Sequence, residues 1–250
     1  MSDIQVRSIN EEIAVDRPGF FKRLLWLFFS PGRLMDELAE KPRVLFWMLF
    51  CPIAFVLPSV IHWQVYLDML REQIAASTDY MESLMGIEMT PEMIEQSVSQ
   101  GSVSGLITTG VMMLVSAVLM ALIFFAIFKI MGGKGKFKAY LSVVVHSNII
   151  IALYSLLLIP IAYLTNDLHQ TIPLTSLATL VPADDVSPAL LGLLVKLDIF
   201  AIWRYAVMGI GFAAVSQLKK RTAYIITGVV FLIGVIYGIV SMMTAAQILS

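Results

Sequence analysis

Charge is scarce in this chain, and so are cysteine and histidine. Asp, Glu, Lys and Arg make up 14% of the 250 residues, against 58% hydrophobic residues. A soluble domain carries roughly a quarter charged residues, so the shortage points to lipid as the solvent. One cysteine, Cys51, excludes an internal disulfide framework and a multi-cysteine zinc site. In its apolar run it reads as a small buried hydrophobe. The three histidines, His62, His146 and His169, show no metal-ligand spacing, and neither H-E-x-x-H nor G-x-S-x-G occurs. Gly132-Gly133-Lys134-Gly135-Lys136 lacks the spacing of a phosphate loop and has Phe137 where the hydroxyl would stand, so it reads as a tight basic turn. Ser142 and His146 lie one helical turn apart with no acidic partner near in sequence, which argues against a hydrolase triad.

What is abundant is long apolar sequence; the mean hydropathy is +0.84. A crossing helix needs about 20 apolar residues, at about 1.5 Å each, to span about 30 Å of hydrocarbon. Residues 44–67, 106–128, 139–164 and 222–249 meet this without an internal charge. A fifth stretch, 189–217, is long enough but holds Lys196, Asp198 and Arg204. The expected fold is all-α: a bundle of five transmembrane helices at 44–250, preceded by a polar tail at 1–17 and cytoplasmic interfacial helices at 18–43. No short apolar segment with a cleavage site precedes the first span, so that span is expected to stay in the mature protein.

Bases fix the direction. Lys and Arg cluster at 7–43, at 129–138 and at 219–221, whereas 68–101 holds only Arg71 and 165–188 holds none. This alternation places the amino terminus in the cytoplasm and the carboxyl terminus outside.

Residues 20–29, F-F-K-R-L-L-W-L-F-F, are too few to cross and too apolar to float free. A basic, aromatic helix of this kind lies among lipid headgroups, as a lipid-sensing or docking face or as a simple anchor. Ser30-Pro31 then reads as N-cap and first residue of a helix that Pro42 stops. The outer segment 68–102 carries Asp68, Glu72, Asp79, Glu82, Glu88, Glu92 and Glu95. Its apolar spacing and Thr90-Pro91-Glu92 predict helical extensions of the flanking spans, with a solvated negative surface.

The fourth span carries the candidate polar site. A charge at mid-membrane costs about 2.5–3.5 kcal/mol on insertion scales, so each must be compensated. In a continuous helix Lys196 and Asp198 point to opposite faces, and Asp198 and Arg204 lie about 120° apart, so none neutralises another. Lys196 can snorkel outward, while Asp198 and Arg204 need water, another helix or another subunit. Two readings follow: an ion or solute pathway, or a polar clasp between helices. His146 is expected to hydrogen-bond between helices. Gly209, Gly211 and the pair Gly234-x-x-x-Gly238 mark close helix packing.

The chain resembles the Yip1 family of five-span membrane proteins, in its shorter bacterial form. The resemblance runs from about Phe20 to the end and rests on Phe29-Ser30-Pro31, the basic glycine turn before Phe137, and Asp198-Ile-Phe-Ala-Ile-Trp203 with Gly209-x-Gly211. It implies a cytoplasmic amino terminus. Eukaryotic members are associated with small Rab-type GTPases and carry D-L-x-G-P in the first span, where this chain has Leu49-Phe50-Cys51-Pro52. For bacterial members it implies no established activity. The expected partners are membrane lipid and further copies of the chain or other membrane proteins, with no nucleic acid, cofactor or metal. The expected role is non-enzymatic organisation of lipid or proteins in a bacterial inner membrane; the alternative is a small transporter or ion-conducting protein.

Overall fold

The computed structural model describes residues 19–78, 82, 86, 90–182 and 185–248. The polar tail 1–17 and the acids Asp79 and Glu88 lie outside the described residues. The elements used below are α1 (Phe20–Phe29), α2 (Pro31–Glu40), α3 (Leu45–Ile61), α4 (Trp63–Ala76), α5 (Pro91–Ile130), α6 (Phe137–Thr165), α7 (Pro188–Lys196), α8 (Ile199–Ser216) and α9 (Lys220–Ile248). Among the described residues there is no strand beyond one isolated bridge. By length and composition α5, α6, α8 and α9 can each cross a membrane, and α3 with α4 makes a fifth candidate. The chain is an all-α multi-pass membrane protein.

The first span departs from expectation. Residues 44–67 do not form one rod, because the chain bends by 90° between α3 and α4 at His62. His62 leaves helical geometry at φ −100, ψ 53, and its ring donates to the Ile159 carbonyl at 2.8 Å. Beyond the bend, α4 lies against the extension of α5. The Tyr66 hydroxyl donates to the Ser102 carbonyl at 3.1 Å, and Arg71 bridges Asp68 (2.6 Å) and Glu95 (2.8 Å). These contacts favour folding back over continuing outward. The expected extension of α5 is present: Thr90 caps it by accepting from the Met93 N–H at 3.3 Å, with Pro91 at the first position.

The core sits around α6. Two-thirds (67%) of its most apolar window is buried, against 22% for α5 and 17% for α9, whose outer faces are left to lipid. Phe124, Phe128, Tyr140 and Phe212 form its aromatic centre, with ring centroids 4.3–6.4 Å apart. The basic turn docks there as well. The Lys134 N–H donates to the Ser216 carbonyl at 2.8 Å, and Gly135, at φ +82, leaves no room for a Cβ beside the Val215 carbonyl.

Helix α1 has the bounds read from sequence, and α2 starts at Pro31 after Ser30, although the Ser30 side chain makes no cap bond. More than an anchor, α2 is wedged into the bundle, with Leu34, Met35 and Leu38 at most 1% exposed. Met35 reaches Gly211 of α8, where a Cβ would stand 2.8 Å from its sulfur and 2.5 Å from Val143 Cγ1. Arg23 of α1 pairs with Glu37 of α2 at 2.7 Å, which ties the two short helices together.

Candidate functional site

The fourth span is broken, which overturns the continuous helix expected for 189–217. Helix α7 ends at Lys196, α8 begins at Ile199, and Asp198 is the N-cap between them. Its carboxylate accepts from the Ala201 N–H at 2.7 Å, the bond that makes Asp strong at a cap and weak inside a helix. A break within lipid would strand backbone groups, and these must find partners inside the protein. The 173–180 loop supplies them. The Leu177 N–H donates to the Leu197 carbonyl (3.1 Å), and the Ile199 N–H to the Thr175 carbonyl (3.4 Å), around a bridge between Ser176 and Asp198. The Thr175 hydroxyl donates to the second Asp198 oxygen. Asp198 is therefore 5% exposed and answered by neutral donors, and the opposite-face geometry expected for Lys196 and Asp198 does not apply.

Arg204 sits six residues further on, about 9 Å deeper along α8 at the helical rise. Its Nη1 donates to Asn148 Oδ1 of α6 at 3.3 Å, and its guanidinium lies 5.0 Å from the Tyr205 ring centre. Asp198 and Arg204 are not brought together. The His146 ring donates from Nδ1 to the Ser142 carbonyl of its own helix at 2.8 Å, and among the described residues it makes no hydrogen bond to another helix. Its contact across helices is with the Trp47 ring, at 6.0 Å. Among the described residues, His146 Nε2, Ser147 Oγ, Trp203 Nε1 and Arg204 Nε are buried without a partner. Two belong to α6 and two to α8.

The glycines let the helices approach. The Lys196 stem crosses Gly238 of α9, and Gly192 faces the Gly238 carbonyl and Ile239 Cα, so α7 lies on α9 through two glycines. Gly209 sits under the Tyr224 ring and Gly211 under Met35 and Val143, whereas Gly234 has only the Tyr205 hydroxyl, at 3.8 Å. Gly192 escaped the sequence reading. The signal was a lone glycine in a short apolar helix, which names no partner without a fold.

A cavity of about 280 Å³ opens beside the break. Phe55, Ile151, Leu158 and Val195 give it apolar walls, while Tyr154, Ser155, Lys196 and Asp198 supply polar groups. His169, Gln170 and Thr171 are shared with an outer vestibule of about 740 Å³ that carries Asp68, Glu72 and Asp167. There Asp167 pairs with His169 at 3.2 Å, and Gln170 donates to the Ser59 hydroxyl at 2.9 Å. Nearby, the hydrogen bond from Arg71 holds the Glu95 carboxyl below its usual range, and that same bond pushes Arg71 further up. Arg204 does not line either space.

Comparison with known proteins places this architecture. The family model of the Yip1 domain matches residues 26–242. The chain is similar to the membrane protein YknW of Bacillus subtilis (strain 168), 25% identical over 236 residues that cover 93% of each chain. No solved structure matches it.

Proposed function

We propose, from the premise that this chain belongs to the Yip1 domain family, that it is a non-enzymatic protein organising lipid or partner proteins at a bacterial inner membrane. Its amino terminus is cytoplasmic and its carboxyl terminus periplasmic, as the distribution of bases requires. The observation that carries the reading is the attachment of α1. Helix α2 is locked into the bundle, while Phe21, Leu25 and Phe29 of α1 are 77%, 58% and 82% exposed. They stand at i, i+4 and i+8, a single outward stripe, with the exposed Lys22 beside it and Arg23 paired inward with Glu37. A held apolar stripe with a base at its edge enters the headgroup layer of an anionic leaflet.

Partner contact, with a second copy or another membrane protein, falls to α9. Gly238 is occupied by Lys196 of the same chain, so a partner helix would meet the side bearing Ile233 and Tyr237, both exposed. Leu49-Phe50-Cys51-Pro52 keeps only the proline of the eukaryotic motif, so this reading includes no small GTPase.

A spin label at Phe21→Cys tests the reading in vesicles. It should be shielded from an aqueous relaxer and reached by an apolar one. A water-exposed label, or mutation-sensitive turnover of any substrate by the purified protein, would overturn it. The cavity reaching Asp198 favours a second reading, a small transporter or ion-conducting protein. That reading requires flux in liposomes that disappears in Asp198→Asn.

A further inference from the structure

The outer cavity has a chemistry of its own. Ser155 lines it, is 3% exposed, and its hydroxyl has no hydrogen-bond partner among the described residues. Lys196 stands at the same cavity with its stem laid on Gly238, and its ammonium has no carboxylate partner among the described residues. The acids that could answer it are engaged elsewhere: Asp198 with the Ala201 N–H and the Thr175 hydroxyl, and Asp167 with His169. The groups left without a partner thus include the Lys196 ammonium and the buried Ser155 hydroxyl, beside the hydrogen-bonded Asp198 carboxylate and against apolar walls of Phe55, Ile151, Leu158 and Val195.

Depth fits the same ligand. Ser155 lies 17 residues beyond Lys138, the last base before the third span, about 25 Å along a core of roughly 30 Å. The polar groups thus stand just below the outer headgroup layer. The cavity, about 280 Å³, is near the lower end of the roughly 300–1,000 Å³ of small-ligand pockets. The vestibule acids Asp68, Glu72 and Asp167 would repel a free anion arriving from water, which favours an anion carried on an apolar tail.

The geometry points to a binding site for an anionic phospholipid of the outer leaflet, its headgroup on Lys196 and Ser155 and part of an acyl chain against the apolar wall. This rests on the lipid-organising reading and deepens it, adding a specific site at the opposite leaflet from α1.

The test is native mass spectrometry of the full chain released from nanodiscs of equal phosphatidylglycerol and phosphatidylcholine. Wild type should retain phosphatidylglycerol about tenfold over phosphatidylcholine, because the choline cation offsets the phosphate charge that Lys196 would meet. Lys196→Gln should erase the preference, and Lys219→Gln at the inner surface should not. Ser155→Leu should fill the cavity and lower retention of both lipids about tenfold; Val195→Trp does the same from the opposite wall should the first variant fail to fold. Equal retention of the two lipids by wild type, or displacement by millimolar inorganic phosphate, would overturn the site. Phe21→Ser/Phe29→Ser removes the α1 stripe and should leave the ratio unchanged, so the two readings fail separately.

Discussion

Arg204 of α8 is held by Asn148 of α6: Nη1 donates to Oδ1 at 3.3 Å, with no carboxylate in ion-pair range among the described residues. An amide answers a guanidinium with dipole rather than charge, and among the described residues this bond is the one side-chain hydrogen bond between α6 and α8. Asn148→Leu should cost about 1–3 kcal/mol, the penalty for a buried polar group left without its partner. Asn148→Leu/Arg204→Leu should recover most of it, because apolar replacement of both members removes the unmet charge. Unfolding in mixed micelles measures both. Equal loss in the single and double variants would show that Asn148 acts through packing alone.

Asp198 separates cap from charge. Asn caps as well as Asp, so Asp198→Asn should keep α8 within a few tenths of a kcal/mol, whereas Asp198→Ala should lose about 1 kcal/mol. Amide exchange at Ala201 reports the cap directly. Flux that survives Asp198→Asn would end the transport reading whatever the stability shows.

Gly211 should tolerate no side chain. Gly211→Val meets Val143 and Met35, and forcing methyl groups into such a contact costs about 1–3 kcal/mol. The expected response is release of α2, read as labelling of a cysteine at Leu38, which is 0% exposed in the native fold. Met35→Ala in the same chain should lessen the labelling. No labelling in Gly211→Val would show that α8, rather than α2, moves aside.

The outer clasp is pH-sensitive in a definite direction. Bonding to Arg71 lowers the Glu95 pKa from its usual 4.5. A depressed folded value means the contribution is present above about pH 4.5 and lost as pH falls through the lower folded value. Protection of the α4 amides, that is exchange relative to the intrinsic rate at each pH, should therefore fall toward pH 3 and stay level from pH 6 to 8. Glu95→Gln should show the lower protection already at pH 7.

Much of this architecture was legible in the chain, because hydropathy and proline act locally. The bounds of α1, the start of α2 at Pro31 and the start of α5 at Thr90-Pro91 all follow from neighbouring residues. The bend at His62 was not legible. Trp63 to Leu67 holds no charge and so passes as the end of the apolar run, and the decision is made by Tyr66 on Ser102 and Arg71 on Glu95, partners more than twenty residues away. The break at Asp198 did carry a local signal, an acid suited to a cap. Continuity was the wrong assumption there because the groups that make a break tolerable, Thr175 and Leu177, come from another segment. The buried docking of α2 was hidden for the same reason: an amphipathic ten-residue helix looks alike whether its apolar side meets lipid or Gly211.

The bend at His62 also sets a length. Helix α3 has 17 residues, a rise of about 25 Å where the hydrocarbon layer measures about 30 Å. Acyl chains flanking α3 have to compress to meet its ends, while those along α5 and α9 do not. With α3 as the crossing segment, the bilayer should thin on that side of the molecule, and thinner membranes should accept the protein with less distortion than thick ones.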